Sequence, residues 1–337
     1  MVSGEFCDRQ RDKAMIFEHP QALRRRISEV TGREASSKLN IFEDTSEFMS
    51  IDAGDVLRLA GNDYLVMGHA REGRFGIDDQ PKFWVKSSID LTTSARKIIK
   101  MVFHETFNSR IGVGATVFSC LRSPEKESAI LRKMRGHPNF MQGQSVRDTA
   151  GNLVRIIDLI PGPSLYTYLR REEMTHEAYY RKKLPEIMQP IIECVEAIAH
   201  LHKQGLHHGD IRADHLIIKN KTDTYVWIDF DYEVSNLDYD LFCLGNVLQQ
   251  VVGKGRHSLE DIRLRLSDYP DFNNALTSSD MSLMFQHRVA NLRKLYPYIS
   301  GALNEIMMCF SVGATNPYKN VDSLLEDLRL LYPSRIK

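Results

Sequence analysis

Three kinds of side chain near the middle of the sequence could together handle a phosphate group. Residues 208–215 contain Asp210, Arg212 and His215, and Asp229 follows after a short apolar run. A carboxylate beside an incoming hydroxyl can accept its proton, a guanidinium can bind phosphate, and a second carboxylate can hold a divalent cation. The residue types and their order therefore indicate phosphate chemistry in this stretch.

Predicted helices and strands flank this stretch and would hold it in place. Apolar residues recur at helical spacing over residues 185–205, which predicts a long helix with one buried face. Short apolar runs at 216–218 and 225–228 predict a pair of strands, and residues 240–252 are predicted to form another helix. The candidate residues therefore fall in the loops that join these elements.

The first half of the chain is predicted to be rich in strands. Apolar and β-branched runs alternate there with turn residues such as Gly61 and Asn62. The strands are expected at residues 56–59, 64–67, 71–76, 82–86, 97–103, 141–146 and 152–159. Ser123 and Pro124 suit the start of a helix. Residues 104–121 show no clear pattern.

A Pro-Gly-Pro sequence at residues 161–163 separates the strand-rich part of the chain from the helical part. The length of 337 residues also exceeds that of one ordinary hydrophobic core. We therefore predict an N-terminal extension with one helix, a strand-rich lobe and a helical lobe. Their predicted bounds are residues 1–55, 56–160 and 161–337.

The composition favours a globular protein of a reducing compartment. Lys and Arg together number 44, as do Asp and Glu, so bulk charge gives no reason to expect nucleic acid or a membrane surface as a partner. No run of 18 apolar residues occurs, so no membrane span is expected. The five scattered cysteines lack metal-binding spacing and are expected to be free thiols, and we expect a cytoplasmic location.

The order of the motifs resembles that of the protein-kinase-like superfamily. Residues 199–210 are similar to the end of a long helix that runs into the kinase catalytic loop, and an Asp-Phe pair follows at 229–230. Residues 126–140 are similar to the kinase αC helix and the turn after it, and the resemblance covers roughly residues 60–337. It implies an α+β fold with two lobes, one an antiparallel β-sheet with the αC helix and the other mainly helical.

The resemblance implies a role for each residue of the central stretch. Asp210 matches the catalytic aspartate, Arg212 stands where these kinases have a lysine on the transferring phosphate, and Asp229 matches the aspartate that holds magnesium. His215 stands where an asparagine would bind a second magnesium ion, and imidazole is a poor ligand for that hard cation. Asp231 replaces a glycine, so it could be an extra metal ligand or could stiffen the segment.

The resemblance also implies an ATP site in the first lobe. Lys100 corresponds to the lysine that binds the α- and β-phosphates, although Lys86 competes for this role. Glu127, which lies 27 positions after Lys100, falls where the partner glutamate of that lysine is expected. Gly73 and Gly76 are similar to the second half of a glycine-rich phosphate loop, with a plain hairpin turn as the alternative.

Two further segments are similar to parts of a kinase. Residues 156–162 resemble the hinge between the lobes, which implies that the backbone groups of Asp158 and Ile160 contact adenine. Asp240 would accept hydrogen bonds from the backbone at residues 208–209. It lies only 11 positions after the aspartate of the Asp-Phe pair, without an Ala-Pro-Glu sequence between them. A segment this short cannot form the usual platform for a peptide substrate.

Three functions stay open. The first is an ATP-dependent phosphotransferase that uses Mg²⁺ or Mn²⁺ and transfers the γ-phosphate to a hydroxyl-bearing substrate, with Asp210 as the base. The second is a pseudokinase that binds nucleotide or a protein partner, which the residues at positions 215 and 231 favour. The third is a small-molecule kinase of the aminoglycoside- or choline-kinase type, which the His-Gly-Asp sequence and the short segment favour.

Overall fold

A computed structural model describes residues 17, 19–36, 38–74, 77–111, 116–234, 238–269, 272 and 275–333. The chain divides into two compact units. The first comprises residues 1–103 and 143–159, and the second comprises residues 104–142 and 160–337. The first is rich in strands and the second is mainly helical, which confirms the expected α+β class. The lobe bounds placed after residues 55 and 160 stay a prediction.

The strands are short except for two long ones in the first unit. They are β1 (Ile41–Phe42), β2 (Val56–Leu59), β3 (Asn62–Arg74), β4 (Ile77–Asp90), β5 (Arg96–Lys100), β6 (Thr106–Ile111), β7 (Thr116–Arg122), β8 (Gly143–Arg147), β9 (Leu153–Asp158), β10 (Leu216–Ile218), β11 (Tyr225–Trp227) and β12 (Tyr232–Val234). The runs predicted separately at 64–67 and 71–76 belong in part to one strand, β3, because a β-bulge beside Gly68 lets that strand continue.

The helices lie mainly in the second half of the chain. They are α1 (Pro20–Thr31), α2 (Pro124–Lys133), α3 (Leu165–Arg171), α4 (His176–Ala178), α5 (Leu184–Lys203), α6 (Asp238–Val252), α7 (Leu259–Leu264), α8 (Gly301–Met308) and α9 (Val321–Leu331). Short 3₁₀ turns occur at Phe48–Ser50, Ala213–His215, Leu266–Asp268, Ser278–Asp280 and Leu292–Lys294. No described helix is long and apolar enough to cross a membrane.

Seven of the described strands form the sheet of the first unit, in the order β1, β2, β3, β4, β5, β9, β8. β1 runs parallel to β2, and every other neighbouring pair is antiparallel. The buried cluster on this sheet comprises Ile51, Leu57, Leu59, Tyr64, Val66, Ile99, Met101, Val154 and Ile156. Because burial of each aliphatic side chain contributes about 1.5–3 kcal/mol, this packing fixes β5 and the lysine at its end.

The predicted N-terminal helix is part of the first unit's core. Its end is marked by Gly32, which has a left-handed backbone with φ of +68° and follows the last helical turn. Its apolar face joins a second buried cluster of Leu23, Ile27, Val56, Leu65 and Leu91. The parallel pairing of β1 with β2 adds a further link. The helix α1 and the strand β1 therefore belong to the first unit.

A hairpin that the sequence pattern does not indicate lies in the second unit. β6 and β7 form this hairpin, and β12 pairs with the other edge of β7. Val117 and Leu121 of β7 are 50% and 42% exposed, so the apolar side chains of this strand do not mark a buried face. Backbone hydrogen bonds hold these strands, which explains the weak sequence signal.

The long helix predicted before the central stretch is α5, and one side of it is buried. β10 and β11 follow as an antiparallel pair, close to the predicted bounds. α9 packs against α5, and Asp322 and Glu196 link the two helices through ion pairs with Lys203 (2.8 Å) and Arg329 (2.7 Å). These elements position the loops that carry the candidate residues. The described cysteines are free thiols, as expected, and Cys7 lies outside the described residues.

Candidate functional site

Asp240, near the start of α6, fixes the loop that carries Asp210. Its carboxylate accepts hydrogen bonds from the backbone N–H groups of His208 (2.6 Å) and Gly209 (2.8 Å). His202 Nε2 lies 2.9 Å from the same carboxylate. Burial opposes ionisation, but these partners hold the pKa of Asp240 well below its ordinary value. The anchoring contact expected for Asp240 is confirmed.

Gly209 allows this loop to approach the segment that follows Asp229. Its φ of +82° lies in the left-handed region. A Cβ at this position would lie 1.9 Å from the backbone oxygen of Tyr232 and 2.9 Å from Lys126 Nζ. The glycine of the His-Gly-Asp sequence is therefore required by close packing of two backbone segments.

His208, the first residue of that sequence, is a core residue. It is fully buried, and its ring packs edge-on against Trp227 and Phe230. Its Nδ1 accepts a hydrogen bond from the backbone N–H of Asp210 (3.2 Å). Burial lowers the pKa of His208 to about 3, so this imidazole is neutral at physiological pH. We therefore assign His208 no proton-transfer role.

His215 lies between the two candidate carboxylates. Its Nδ1 is 2.9 Å from the backbone oxygen of Asp210 and 3.4 Å from the Asp210 carboxylate. Its Nε2 is 3.6 Å from the carboxylate of Asp229. The His215 side chain is only 5% exposed, and its backbone oxygen accepts a hydrogen bond from Ile228 (3.0 Å). One imidazole therefore links Asp210 and Asp229.

The environment of Asp210 suits a proton acceptor. Burial raises the pKa of its carboxyl, and the nearby charges of His215 and Arg212 only partly oppose that shift. The side chain nevertheless keeps 18% of its surface exposed. A carboxylate with a raised pKa holds an accepted proton more tightly, so the site can support general base catalysis.

The guanidinium of Arg212 pairs with its near neighbour Asp214. Arg212 Nε lies 3.1 Å from Asp214 Oδ1, and its Nη2 bonds the other carboxylate oxygen. Although burial opposes it, His215 and Arg212 lower the pKa of Asp214, which keeps this carboxylate charged. With 38% of its side chain exposed, Arg212 is oriented by Asp214 while remaining accessible.

Asp229 belongs to a group of three carboxylates. Its φ of +64° is rare outside glycine and turns the chain sharply at this point. Carboxylate oxygens of Glu127, Asp229 and Asp231 all lie within 4.8 Å of one another. Glu127 and Asp231 are buried, whereas 14% of the Asp229 side chain is exposed. This all-oxygen set fits a hard divalent cation such as Mg²⁺. His215 is not part of the group.

Arg122 at the end of β7 fixes Asp231, a contact that sequence reasoning misses. The two side chains form a buried ion pair. Arg122 also bonds the Tyr232 hydroxyl and lies 3.3 Å from the carboxylate of Glu105, to which Tyr232 donates a hydrogen bond of 2.9 Å. Burial opposes the charge of Arg122, but Asp231 and the other acidic groups raise its pKa further. Asp231 thus forms an ion pair with Arg122 of β7 and also lies beside Asp229.

Lys126 on α2 is a second contact that sequence reasoning misses. Its ammonium is buried and donates to the backbone oxygens of His208 (2.7 Å) and Tyr232. Burial lowers the pKa of Lys126 to about 8, although acidic neighbours including Asp240 oppose that shift. One lysine thus joins α2, the loop before Asp210 and the segment after Asp229.

The two lysines considered for the nucleotide lie in the first unit. Lys100 is 5% exposed and stands at the end of β5, opposite Val85 and Arg155. Lys86 is fully buried, and its ammonium donates to the backbone oxygens of Phe48 (3.0 Å) and Ile51 (2.6 Å). Through these bonds Lys86 stabilises the segment at residues 48–51, which precedes β2. The pairing of Lys100 with a glutamate stays a prediction.

The other residues predicted to bind nucleotide have varied positions. Asp158 ends β9 and pairs with Lys97 of β5 at 2.5 Å. Ile160 is partly exposed and begins the second unit's longer segment. Gly73 lies at an irregularity near the end of β3, and Gly76 falls outside the described residues. Binding of a nucleotide by these four residues stays a prediction.

Comparison with known proteins finds several kinases. The chain is 25% identical over 104 residues to the death-associated protein kinase dapk-1 of Caenorhabditis elegans. The aligned region covers 31% of this chain and 7% of that protein. It is 22% identical over 201 residues to the hormonally up-regulated neu tumor-associated kinase of Mus musculus. The aligned region covers 55% of this chain and 26% of that protein. It is 28% identical over 94 residues to the CBL-interacting protein kinase 25 of rice, Oryza sativa. The aligned region covers 28% of this chain and 18% of that protein.

The chain therefore spans about a quarter or less of the length of these relatives. No protein-family model matches the chain. The shared name of the relatives and the α+β fold agree with the resemblance seen in the sequence motifs.

Proposed function

Because the chain is a divergent member of the protein-kinase-like superfamily, we propose that it is an ATP-dependent phosphotransferase. The reaction would transfer the γ-phosphate of ATP to a hydroxyl group of a substrate, with Mg²⁺ or Mn²⁺ as the cation. The observation that carries the proposal is the position of His215 between Asp210 and Asp229. The candidate base Asp210 and the candidate metal ligand Asp229 therefore lie on either side of the His215 ring.

In this proposal Asp210 accepts the proton of the substrate hydroxyl. Its raised pKa and partial exposure support the role, because a base must both reach its proton and hold it. His215 then acts as a positioning residue, since its Nδ1 fixes the backbone oxygen of Asp210. Asp240 and Lys126 support the same loop from two other elements.

Asp229 would hold the divalent cation, with Glu127 and Asp231 as further oxygen donors nearby. A cation there would neutralise charge on the phosphates of the nucleotide. His215 was the other metal ligand expected from the sequence. We favour Asp229 over His215 for Mg²⁺, because oxygen donors suit this hard cation better than an imidazole does.

Arg212 would bind the transferring phosphate. Its guanidinium keeps a positive charge at any physiological pH and offers more donors than Asp214 can accept. Lys100, Gly73, Gly76, Asp158 and Ile160 remain the proposed contacts to the rest of the nucleotide.

Phosphoryl transfer by the purified chain tests this proposal. With ATP and Mg²⁺ or Mn²⁺, we expect ATP turnover or transfer that Asp210→Asn lowers by roughly 10²–10⁴-fold, because the variant keeps its shape but loses the base. Asp229→Asn should remove the metal dependence of ATP binding. Asp268→Asn, an exposed aspartate of the same unit, serves as the matched control and should leave turnover unchanged.

The outcomes separate the alternatives. Metal-dependent ATP binding without turnover would indicate a pseudokinase that acts as a nucleotide-binding or scaffold module. Turnover that is equal in Asp210→Asn and in the control would contradict the assignment of the base.

A small-molecule acceptor is a second candidate. β12 ends at Val234 and α6 begins at Asp238, so only residues 235–237 join them. This connection leaves little chain for a peptide-binding platform. Transfer to a hydroxyl-bearing small molecule, with none to protein substrates, would support this candidate.

A further inference from the structure

A cleft in the second unit contains two arginines that form no ion pair with a carboxylate in the part of the chain that the structure describes. It has a volume of about 410 Å³ and is lined by Arg256, Ser258, Glu260, Asp261, His287 and Arg288. We call it the arginine cleft. Among the described residues, no carboxylate oxygen lies within 4.0 Å of either guanidinium. By contrast, Arg58, Arg122 and Arg212 all pair with aspartates.

The two guanidiniums are held in place by aromatic rings and amides. Arg288 lies 3.9 Å above the ring of Phe285, and its Nη1 donates to Asn246 Oδ1 at 3.3 Å. Arg256 lies 5.0 Å from the ring centre of Tyr166 and donates to Gln250 Oε1 at 3.2 Å. A guanidinium has five N–H donors, so most donors of both groups stay available for an anion.

The backbone around the cleft is also fixed. Ser258 and Arg288 form an isolated antiparallel β-bridge, and Leu259 donates a backbone hydrogen bond of 2.9 Å to His287. The backbone oxygen of Arg288 accepts a further bond from Ser282 at 2.8 Å. Because these contacts set the position of the Arg288 backbone, an anion would find its partners largely preorganised.

Two acidic residues, Glu260 and Asp261, also line the cleft, but in the described part of the chain neither forms an ion pair with its arginines. Burial lowers the pKa of Arg288 to about 10, the nearby charge of Arg256 adds to the shift, and the charge of Asp261 opposes it. The carboxylate of Asp261 is engaged by the hydroxyl of Ser258 at 2.6 Å in a capping box. Glu260 is exposed and is the carboxylate that competes with a bound anion.

We propose that the arginine cleft binds the phosphate group of a phosphate monoester. Two adjacent guanidiniums match the charge of nearly −2 that a monoester carries at pH 7, whereas a carboxylate would balance only one of them. The planar donors of arginine also match phosphate oxygens in pairs. The site is separate from the residues proposed for phosphoryl transfer, and the inference does not depend on that function.

O-phosphoserine is the probe for the test, with L-serine and inorganic phosphate as comparisons. The unfolding midpoint of the full chain is measured against the concentration of each in buffer with a chelator and constant ionic strength. O-phosphoserine should raise the midpoint by about 1–3 °C near saturation, because a ligand of the native state stabilises it. L-serine should have no effect.

Variants locate the binding. Arg256→Gln/Arg288→Gln should weaken the apparent affinity for O-phosphoserine by about tenfold or more, which corresponds to one strong charge-assisted contact. Arg256→Gln alone changes an exposed side chain and keeps the test valid if the double variant folds poorly. Glu260→Gln should tighten binding, since it removes the competing carboxylate. Arg263→Gln, exposed on the same helix α7, is the matched control and should leave the affinity unchanged.

Three results would overturn the proposal. The first is a response to inorganic phosphate without a response to O-phosphoserine, which would assign the effect to the free ion. The second is an equal response in Arg256→Gln and in the wild type. The third is a response that Arg212→Gln abolishes while both cleft variants retain it, which would place the phosphate at the other site.

Discussion

Two neighbouring segments of the second unit are held in opposite ways. The loop at residues 207–210 is anchored by the carboxylate of Asp240, which accepts bonds from two backbone N–H groups. The segment at residues 229–234 is anchored by Arg122, which bonds the side chains of Asp231 and Tyr232. Lys126 donates to a backbone oxygen of each segment and so joins them.

Asp240 binds the backbone of its segment, whereas Arg122 binds side chains of the other segment. Backbone N–H groups are present whatever the side chain, so the Asp240 contact depends only on the shape of the loop. The Arg122 contact instead requires the acidic residue at position 231, where a typical kinase has glycine. We infer that Asp231 stabilises this segment chiefly through its ion pair with Arg122.

Arg122→Met should lower the free energy of unfolding by about 3–5 kcal/mol, because it removes the cation from a buried ion pair with Asp231. Denaturant unfolding measures the change. Arg132→Met on the exposed side of α2 serves as the control. Arg122→Met/Asp231→Leu should recover much of the loss, since it removes both charges of the buried pair. A loss below about 1 kcal/mol in the single variant would show that side-chain pairing does not hold the segment.

Asp240→Asn should lower the free energy of unfolding by about 3 kcal/mol, because an amide accepts the two backbone bonds more weakly than a carboxylate. The folded pKa of Asp240 is depressed from an ordinary value of 3.8. Its contribution is therefore present above about pH 4 and is lost as pH falls further. The difference between wild type and variant in denaturant unfolding should shrink below pH 4. A difference that stays constant down to pH 2 would contradict this account of the loop.

Lys126→Met tests the group that joins the two segments. The folded pKa of Lys126 is lowered to about 8 from 10.5, so the unfolded chain binds its proton more tightly. Between pH 8 and 10.5 the folded lysine loses its buried charge first, and the wild type should gain roughly 1–3 kcal/mol relative to the variant. Unfolding at pH 7.5 and pH 10 measures the gain. Lys133 is exposed on the same helix, so wild type should show no such gain relative to Lys133→Met. An equal gain relative to Lys126→Met and to Lys133→Met would contradict the prediction.

The elements with strong periodic patterns could be predicted from the sequence. α5 has a buried apolar stripe, and β10 and β11 are short apolar runs, so each was expected near its observed bounds. The hairpin of β6 and β7 could not be predicted, because hydrophobicity does not follow burial in β7: the apolar Val117 and Leu121 are exposed, whereas the charged Arg122 is buried. Pairing with β12 holds it, and the register of that pairing depends on residues more than a hundred positions away.

The sequence by itself determined the order of the motifs and the types of the candidate residues. Asp210, Arg212, His215 and Asp229 could be singled out because their chemistry and spacing are local properties of the chain. The need for glycine at position 209 could not be derived in this way, since it arises from the close approach of a distant backbone oxygen.

Only the tertiary structure decided which charges are buried together. The ion pair between Arg122 and Asp231, the bonds of Lys126 to two backbone segments and the two arginines of the arginine cleft each join residues that are far apart in the chain. Charged side chains carry no periodic signal of burial, because most of them lie on the surface. Their partners are fixed only when packing brings the elements together, and that packing also sets their pKa values.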